Sequence, residues 1–168
     1  MEETQIVEEV TEDEVNFKVE ESATQEKKSG LRTLKEITDD LSKELPERVI
    51  KTRKQGGATV KYISWVTATK VLSHYAPGWQ YKIGDFKVVS VPTTPDAKNP
   101  NKPTSNSLFV VEVSLGIPTS DFGTIWRSAT GIETYNDKMF GDVASNSTSM
   151  ALRRAASLFG LCRYLYPN

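Results

Sequence analysis

Basic and aromatic side chains gather at two places in this sequence. Arg48, Lys51, Arg53 and Lys54 lie on the first arm of an expected hairpin, Lys61 and Tyr62 on its second arm, and Arg153 and Arg154 stand side by side in a late helix. Guanidinium groups grip phosphate oxygens bidentately without regard to base identity, and exposed aromatic rings let bases stack. That is the chemistry of sequence-tolerant binding to single-stranded nucleic acid. Annealing asks further that Watson–Crick edges stay exposed, so contacts to phosphate should dominate over contacts to bases. The bland alternative is a set of ordinary solvated cations, and pattern alone leaves both readings open.

Other chemistries find less support. Nucleophilic catalysis needs a base beside Ser, Cys or Thr, yet the only histidine, His74, falls on the polar side of a helix that stops at Pro77-Gly78. The single cysteine, Cys162, lies on an apolar stripe, which reads as a buried structural thiol and excludes an internal disulfide. No stretch matches the phosphate-binding Gly-x-x-x-x-Gly-Lys-Ser/Thr loop. Glu133, Asp137 and Asp142 flank one region where a divalent ion is conceivable, but Asp142 is better placed to cap the last helix. No catalytic residue, metal or cofactor is expected. A metal-dependent nuclease ranks third, behind a multimeric structural or interaction protein without annealing activity.

The elements that must position these residues can be read from hydrophobic periodicity. Leu34, Ile37, Leu41 and Leu45 mark a helix from Thr33 that Pro46 ends. A hairpin follows, Arg48–Arg53 and Thr59–Ile63, turning at Gln55-Gly56-Gly57. Trp65–Tyr75 resumes the helical period, with Trp65, Ala68, Val71, Leu72 and Tyr75 on one side. Trp79, Tyr81 and Ile83 then alternate, and after a bulge expected at Gly84 the strand continues to Val91. Residues 92–107 carry four prolines and read as a flexible loop. Phe109, Val111, Val113, Leu115 and Ile117 share one face of a long strand, and Gly123–Glu133 forms the next after a turn at Pro118–Phe122. The last helix, Asp142–Cys162, has a stripe of Ala144, Ala151, Leu152, Ala155, Leu158, Phe159 and Cys162, which leaves Arg153 and Arg154 facing outward. The expected class is α+β, a short hairpin plus a three-stranded antiparallel meander packed by helices, with core order β-β-α-β-β-β-α.

The net charge of −1 conceals an asymmetry. Residues 1–30 hold ten Asp+Glu against three Lys and read as a disordered acidic tail, either solubilising or a DNA mimic competing for a basic groove. Residues 31–168 hold 18 Lys+Arg against 12 Asp+Glu, one basic domain suited to a polyanionic partner. No run approaches the roughly 20 apolar residues that cross a bilayer, and the start is acidic rather than signal-like. A cytoplasmic, nucleoid-associated location without membrane contact is expected.

Four stretches resemble the Rad-fifty-two superfamily of single-strand annealing proteins, including its bacterial DdrA-type and phage relatives. They are Arg48-Val-Ile-Lys-Thr-Arg53, Gly56-Gly57 with Val60-Lys-Tyr-Ile63, Ala129-Thr-Gly-Ile-Glu133, and Ser149-Met-Ala-Leu-Arg-Arg-Ala-Ala-Ser-Leu-Phe-Gly160, the last being the most specific. The likeness covers roughly residues 31–166. It implies a curved antiparallel sheet backed by a signature helix, assembly into rings or helical multimers, and binding and annealing of single-stranded DNA in recombination or repair. It also implies that Arg153 and Arg154 line an inner DNA groove, that Arg53 contacts phosphate, and that Lys61 and Tyr62 lie beside the same groove. Two departures stand out: Ser157 occupies a position that is basic in eukaryotic members, and Ser145-Asn-Ser-Thr-Ser149 replaces a Lys-rich helix start. Recombination or replication partner proteins are not implied.

Overall fold

The computed structural model describes residues 30–55, 57–93, 105–135 and 142–166. Residues 1–29 of the expected acidic tail, the stretch 94–104 of the expected loop and Asp137 lie outside the described residues. The element order is α1 (Leu34–Leu41), β1 (Ile50–Gln55), β2 (Ala58–Ile63), α2 (Trp65–Tyr75), β3 (Gln80–Pro92), β4 (Ser105–Thr119), β5 (Gly123–Tyr135) and α3 (Val143–Ser157). Single 3-10 turns occupy Glu47–Val49 and Arg163–Leu165. The fold is α+β, with β1 and β2 in one antiparallel sheet and β3, β4 and β5 in a second, ordered as in the chain.

The long sheet forms the structural frame. β4 is central, and its alternation buries Val111, Val113, Leu115 and Ile117 on the face covered by helix. β3 pairs with β4 in a register that shifts between Ile83 and Phe86, so the bulge falls where Gly84 marks it. α3 packs on β4 and β5 and reaches β5 at Gly131, where an added Cβ would stand 1.8 Å from the Ser147 carbonyl oxygen. Only glycine admits helix backbone this close to strand backbone.

That close approach decides which face of α3 turns inward. Ala151, Leu152, Ala155, Phe159 and Cys162 are buried as the periodicity requires, together with Ser147, Ala156 and Leu161. Ala144 is exposed at the helix start, and Leu158 is exposed because the helix ends at Ser157 instead of running to Cys162. The chain then turns through left-handed backbone at Gly160 (φ 109°) and Cys162 (φ 52°). A side chain on Gly160 would meet the Ser42 hydroxyl at 2.2 Å.

Two other boundaries differ from the periodicity. A capping box at Thr33 and Glu36 starts α1, which buries Ile37 and Leu41 but stops at Leu41, one turn before Leu45. The Ser42 hydroxyl bonds the Thr38 carbonyl one turn back at 2.6 Å, and the Leu45 amide donates to the Tyr164 hydroxyl at 3.0 Å, so a local side-chain bond and one tertiary partner replace the last helical turn. The first hairpin arm begins at Ile50 rather than Arg48, because Pro46 leads into the 3-10 turn that holds Arg48.

Ser147 has 0% exposure, and its hydroxyl has no hydrogen-bond partner among the described residues. A buried unsatisfied hydroxyl costs free energy. Ser147→Ala is therefore expected to leave the melting temperature unchanged or raise it, by the equivalent of about 1 kcal/mol. Calorimetry would count against this packing if the variant melted several degrees lower.

Candidate nucleic-acid interface

β1 and β2 pair with Arg53 opposite Val60 and Lys51 opposite Tyr62. Strand alternation therefore puts Lys51, Arg53, Val60 and Tyr62 on one face of the hairpin, and Lys54 and Lys61 on the other. α3 approaches the first face. The guanidinium carbon of Arg153 lies 5.3 Å from the Tyr62 ring centroid and that of Arg53 lies 5.6 Å from it, so one aromatic ring holds two cations from separate elements.

Backbone carbonyls orient the α3 arginines. Arg153 donates from Nε to the Ser149 carbonyl (3.1 Å) and from Nη1 to the Ile63 carbonyl at the end of β2 (2.8 Å). Arg154 donates from Nη1 to the Thr130 carbonyl of β5 (2.8 Å). Successive helical residues point about 100° apart, so one reaches the hairpin and the other the long sheet. Arg154 is exposed, whereas Arg153 is half-buried rather than turned fully outward.

Among the described residues neither of these arginines is paired with a carboxylate; the ion pairs are Arg32–Asp40, Lys35–Asp39, Lys43–Asp40 and Lys61–Glu47. Burial pulls the Arg153 guanidinium below its usual value, and the neighbouring Arg53 and Arg154 charges push the same way, with the Tyr166 phenol acting against them. Burial also raises Tyr166, against the pull of Arg153 and Arg154. An arginine side chain stays protonated at neutral pH even so. The result is a partly desolvated Arg153 beside an exposed Arg154, both held by neutral carbonyls, an arrangement that an anion would complete.

Arg53, Lys61, Tyr62, Arg153 and Arg154 all line one cleft, with Tyr166 and Met150 completing it. Lys61 borders the wall while its ammonium pairs with Glu47 at 3.1 Å. Arg48, Lys51 and Lys54 are exposed and border neither this cleft nor its continuation. The continuation runs past Arg53, Tyr62 and Arg153 to Ser64, Trp65, Glu133, Asn146 and Ser149. Trp65, which helical period assigns to the core side of α2, is 53% exposed at that helix's first turn. Its position three residues after Tyr62 was the available signal. Tyr166 could be placed only by the turn after α3.

Asp142 caps α3, accepting from the Ser145 amide at 3.0 Å. Among the described residues no three His, Cys, Asp or Glu side chains converge on a possible ion site. His74 is exposed and meets Tyr75 edge-on at 4.6 Å. Burial pushes the Cys162 thiol up to about 11. Since the thiolate is the nucleophile, iodoacetamide is expected to alkylate the folded protein far more slowly than the denatured protein at pH 8, read by mass spectrometry. Equal rates would place the thiol at the surface. No helix among the described residues is long and apolar enough to cross a membrane.

Comparison with known proteins bears on this cleft. The profile of the Rad52/22 family of double-strand break repair proteins matches residues 33–168, a span that includes every residue lining the cleft. The chain is 33% identical over 142 residues to DNA repair RAD52-like protein 1, mitochondrial, of Arabidopsis thaliana, covering 82% of this chain and 70% of that protein. It is 32% identical over 138 residues to DNA repair RAD52-like protein 2, chloroplastic, of the same plant, covering 80% of this chain and 61% of that one.

Proposed function

Because the chain belongs to the Rad52/22 family of double-strand break repair proteins, with a role in DNA repair and recombination, we propose that it binds single-stranded DNA along this cleft and anneals complementary strands without catalysing bond chemistry. The observation that carries the reading is the pair Arg153 and Arg154, aimed by the carbonyls of Ile63 and Thr130 and lacking carboxylate partners among the described residues. Arg53, stacked on the same Tyr62 ring as Arg153, extends the grip. Phosphate contacts of this kind leave base edges free for a second strand to test. Mixing complementary fluorescent oligonucleotides with the protein should accelerate duplex formation, and the acceleration should fade as salt rises. Annealing at the spontaneous rate, with no binding to either strand, would dismiss the reading.

Assembly into homo-oligomers is part of the proposal. β3 is an outer strand whose residues are all exposed, among them Tyr81, Ile83, Phe86, Val88 and Val91. An apolar strand with an unpaired edge is a ready surface for another chain. The same strand favours the second reading, a multimeric accessory protein without annealing activity. Light scattering combined with an oligonucleotide titration separates the two: multimers that bind no DNA would support the accessory role.

A further inference from the structure

Beyond the cationic cleft, the surface changes character while staying continuous. Trp65 and Ser149 border both the cleft's continuation and a neighbouring trough. The trough is walled by Trp65, Trp79, Tyr81 and Ile83, and its other side is formed by small residues of α3, including Ala144, Ser145 and Thr148. Among the described residues no charged side chain lines it. Trp79 is fixed in place: its Nε1 donates to the Ser73 hydroxyl at 3.0 Å, and its ring stacks on Tyr81 with centroids 6.1 Å apart and planes 21° from parallel. Trp65, Tyr81 and Ile83 are 53%, 48% and 56% exposed. Aromatic walls left this open are costly in water unless something covers them.

We infer that this trough is a nucleobase-stacking site, with Trp65 as the residue that turns a base out of the phosphate-gripping cleft and against an aromatic wall. The inference rests on the proposed binding of single-stranded DNA in the adjoining cleft. An uncharged aromatic slot beside the Arg153 guanidinium matches the alternation of anionic phosphate and flat neutral base along one strand. Small α3 side chains leave room for a ring, and among the described residues lining the trough there is no cation that would draw a phosphate instead. Stacking engages the face of a base and leaves its pairing edge free, so the slot is compatible with annealing. Because every base has a face, the site is indifferent to sequence.

The test compares oligo(dT) with an abasic oligomer of equal length and charge, on the full chain and on Trp65→Leu and Trp65→Tyr variants. Wild type should prefer oligo(dT) by about five-fold or more, the lower end of one base–aromatic stack. Trp65→Leu, which keeps apolar bulk without the indole, should lose most of that preference. Trp65→Tyr should keep it. A wild-type protein that binds both strands equally, or a Leu variant with an undiminished preference, overturns the inference and leaves the phosphate cleft standing. A fall in multimer mass by light scattering in the Leu variant, with the base preference intact, overturns it too and assigns the trough to contacts between copies. Failure of wild type to bind either strand overturns both this inference and the proposed function.

Discussion

Replacing Arg153 and Arg154 together with alanine is expected to weaken binding to oligo(dT) by at least about 100-fold at low salt, since two charge-assisted contacts at about 1.5 kcal/mol or more each are lost. The slope of log affinity against log salt should flatten by about 1.4, corresponding to two single-strand phosphate contacts at about 0.7 each. The double lysine variant should fall between these, keeping the charge but losing the planar fork that two phosphate oxygens engage. Folding is a fair control. The bonds these side chains make to Ile63 and Thr130 carbonyls are partly or fully exposed, so water can replace them, and the melting temperature should change far less than the affinity. A double alanine variant with wild-type affinity and an unchanged salt slope would mean that DNA is held elsewhere.

The second large effect concerns the platform under those arginines. Gly131→Ala places a methyl group 1.8 Å from the Ser147 carbonyl oxygen and 3.0 Å from the Ala151 amide nitrogen, both helix backbone. Side chains can rotate away from a clash, but backbone inside a hydrogen-bonded helix cannot. α3 must lift from β5 or the strand must bend, and either costs about 3 kcal/mol or more, at the upper end of overpacking. For a domain of this size the melting temperature should drop by about 10 °C. Lifting α3 also separates Arg154 from Thr130 and Arg153 from the hairpin, so DNA affinity should fall alongside stability. Gly123→Ala is a useful contrast: nothing lies within 4 Å of the added carbon, leaving only the strain of its positive φ (69°). A Gly131→Ala protein as stable as wild type would contradict the close packing of α3 on β5.

What the sequence made legible was mainly local. The bounds of α2 and the inward row Val111, Val113, Leu115 and Ile117 on β4 follow from hydrophobic periodicity, which acts within one element. Gly84 marked the bulge for the same reason. The misses come from contacts distant in sequence. α1 ends early where the Leu45 amide finds the Tyr164 hydroxyl, 119 residues away. The burial of Ser147 instead of Ala144 depends on Gly131, which no period on α3 reports.

The candidate site divides the same way. Residue type alone singled out eight side chains, and the structure brings five of them, Arg53, Lys61, Tyr62, Arg153 and Arg154, to one cleft. Arg48, Lys51 and Lys54 share their chemistry but stand apart from it: the 3-10 turn holds Arg48, the pleat turns Lys54 to the opposite face, and Lys51 shares the face of Arg53 without bordering the cleft. That Arg153 is half-buried depends on a carbonyl 90 residues away at Ile63. Trp65 escaped notice because a first-turn residue can satisfy the helical period and still project past the body it packs on.

The central claim is that Arg153 and Arg154 grasp the charged backbone of a single strand, and backbone charge can be removed without touching the bases. Affinities of wild type and the Arg153→Ala, Arg154→Ala variant should be measured for one oligonucleotide made with phosphodiester and with neutral methylphosphonate links. The account predicts that wild type loses most of its affinity on the neutral strand and that the variant, already without its phosphate partners, loses much less. If both proteins lose affinity by the same factor, these arginines do not read the phosphates, and the account is contradicted.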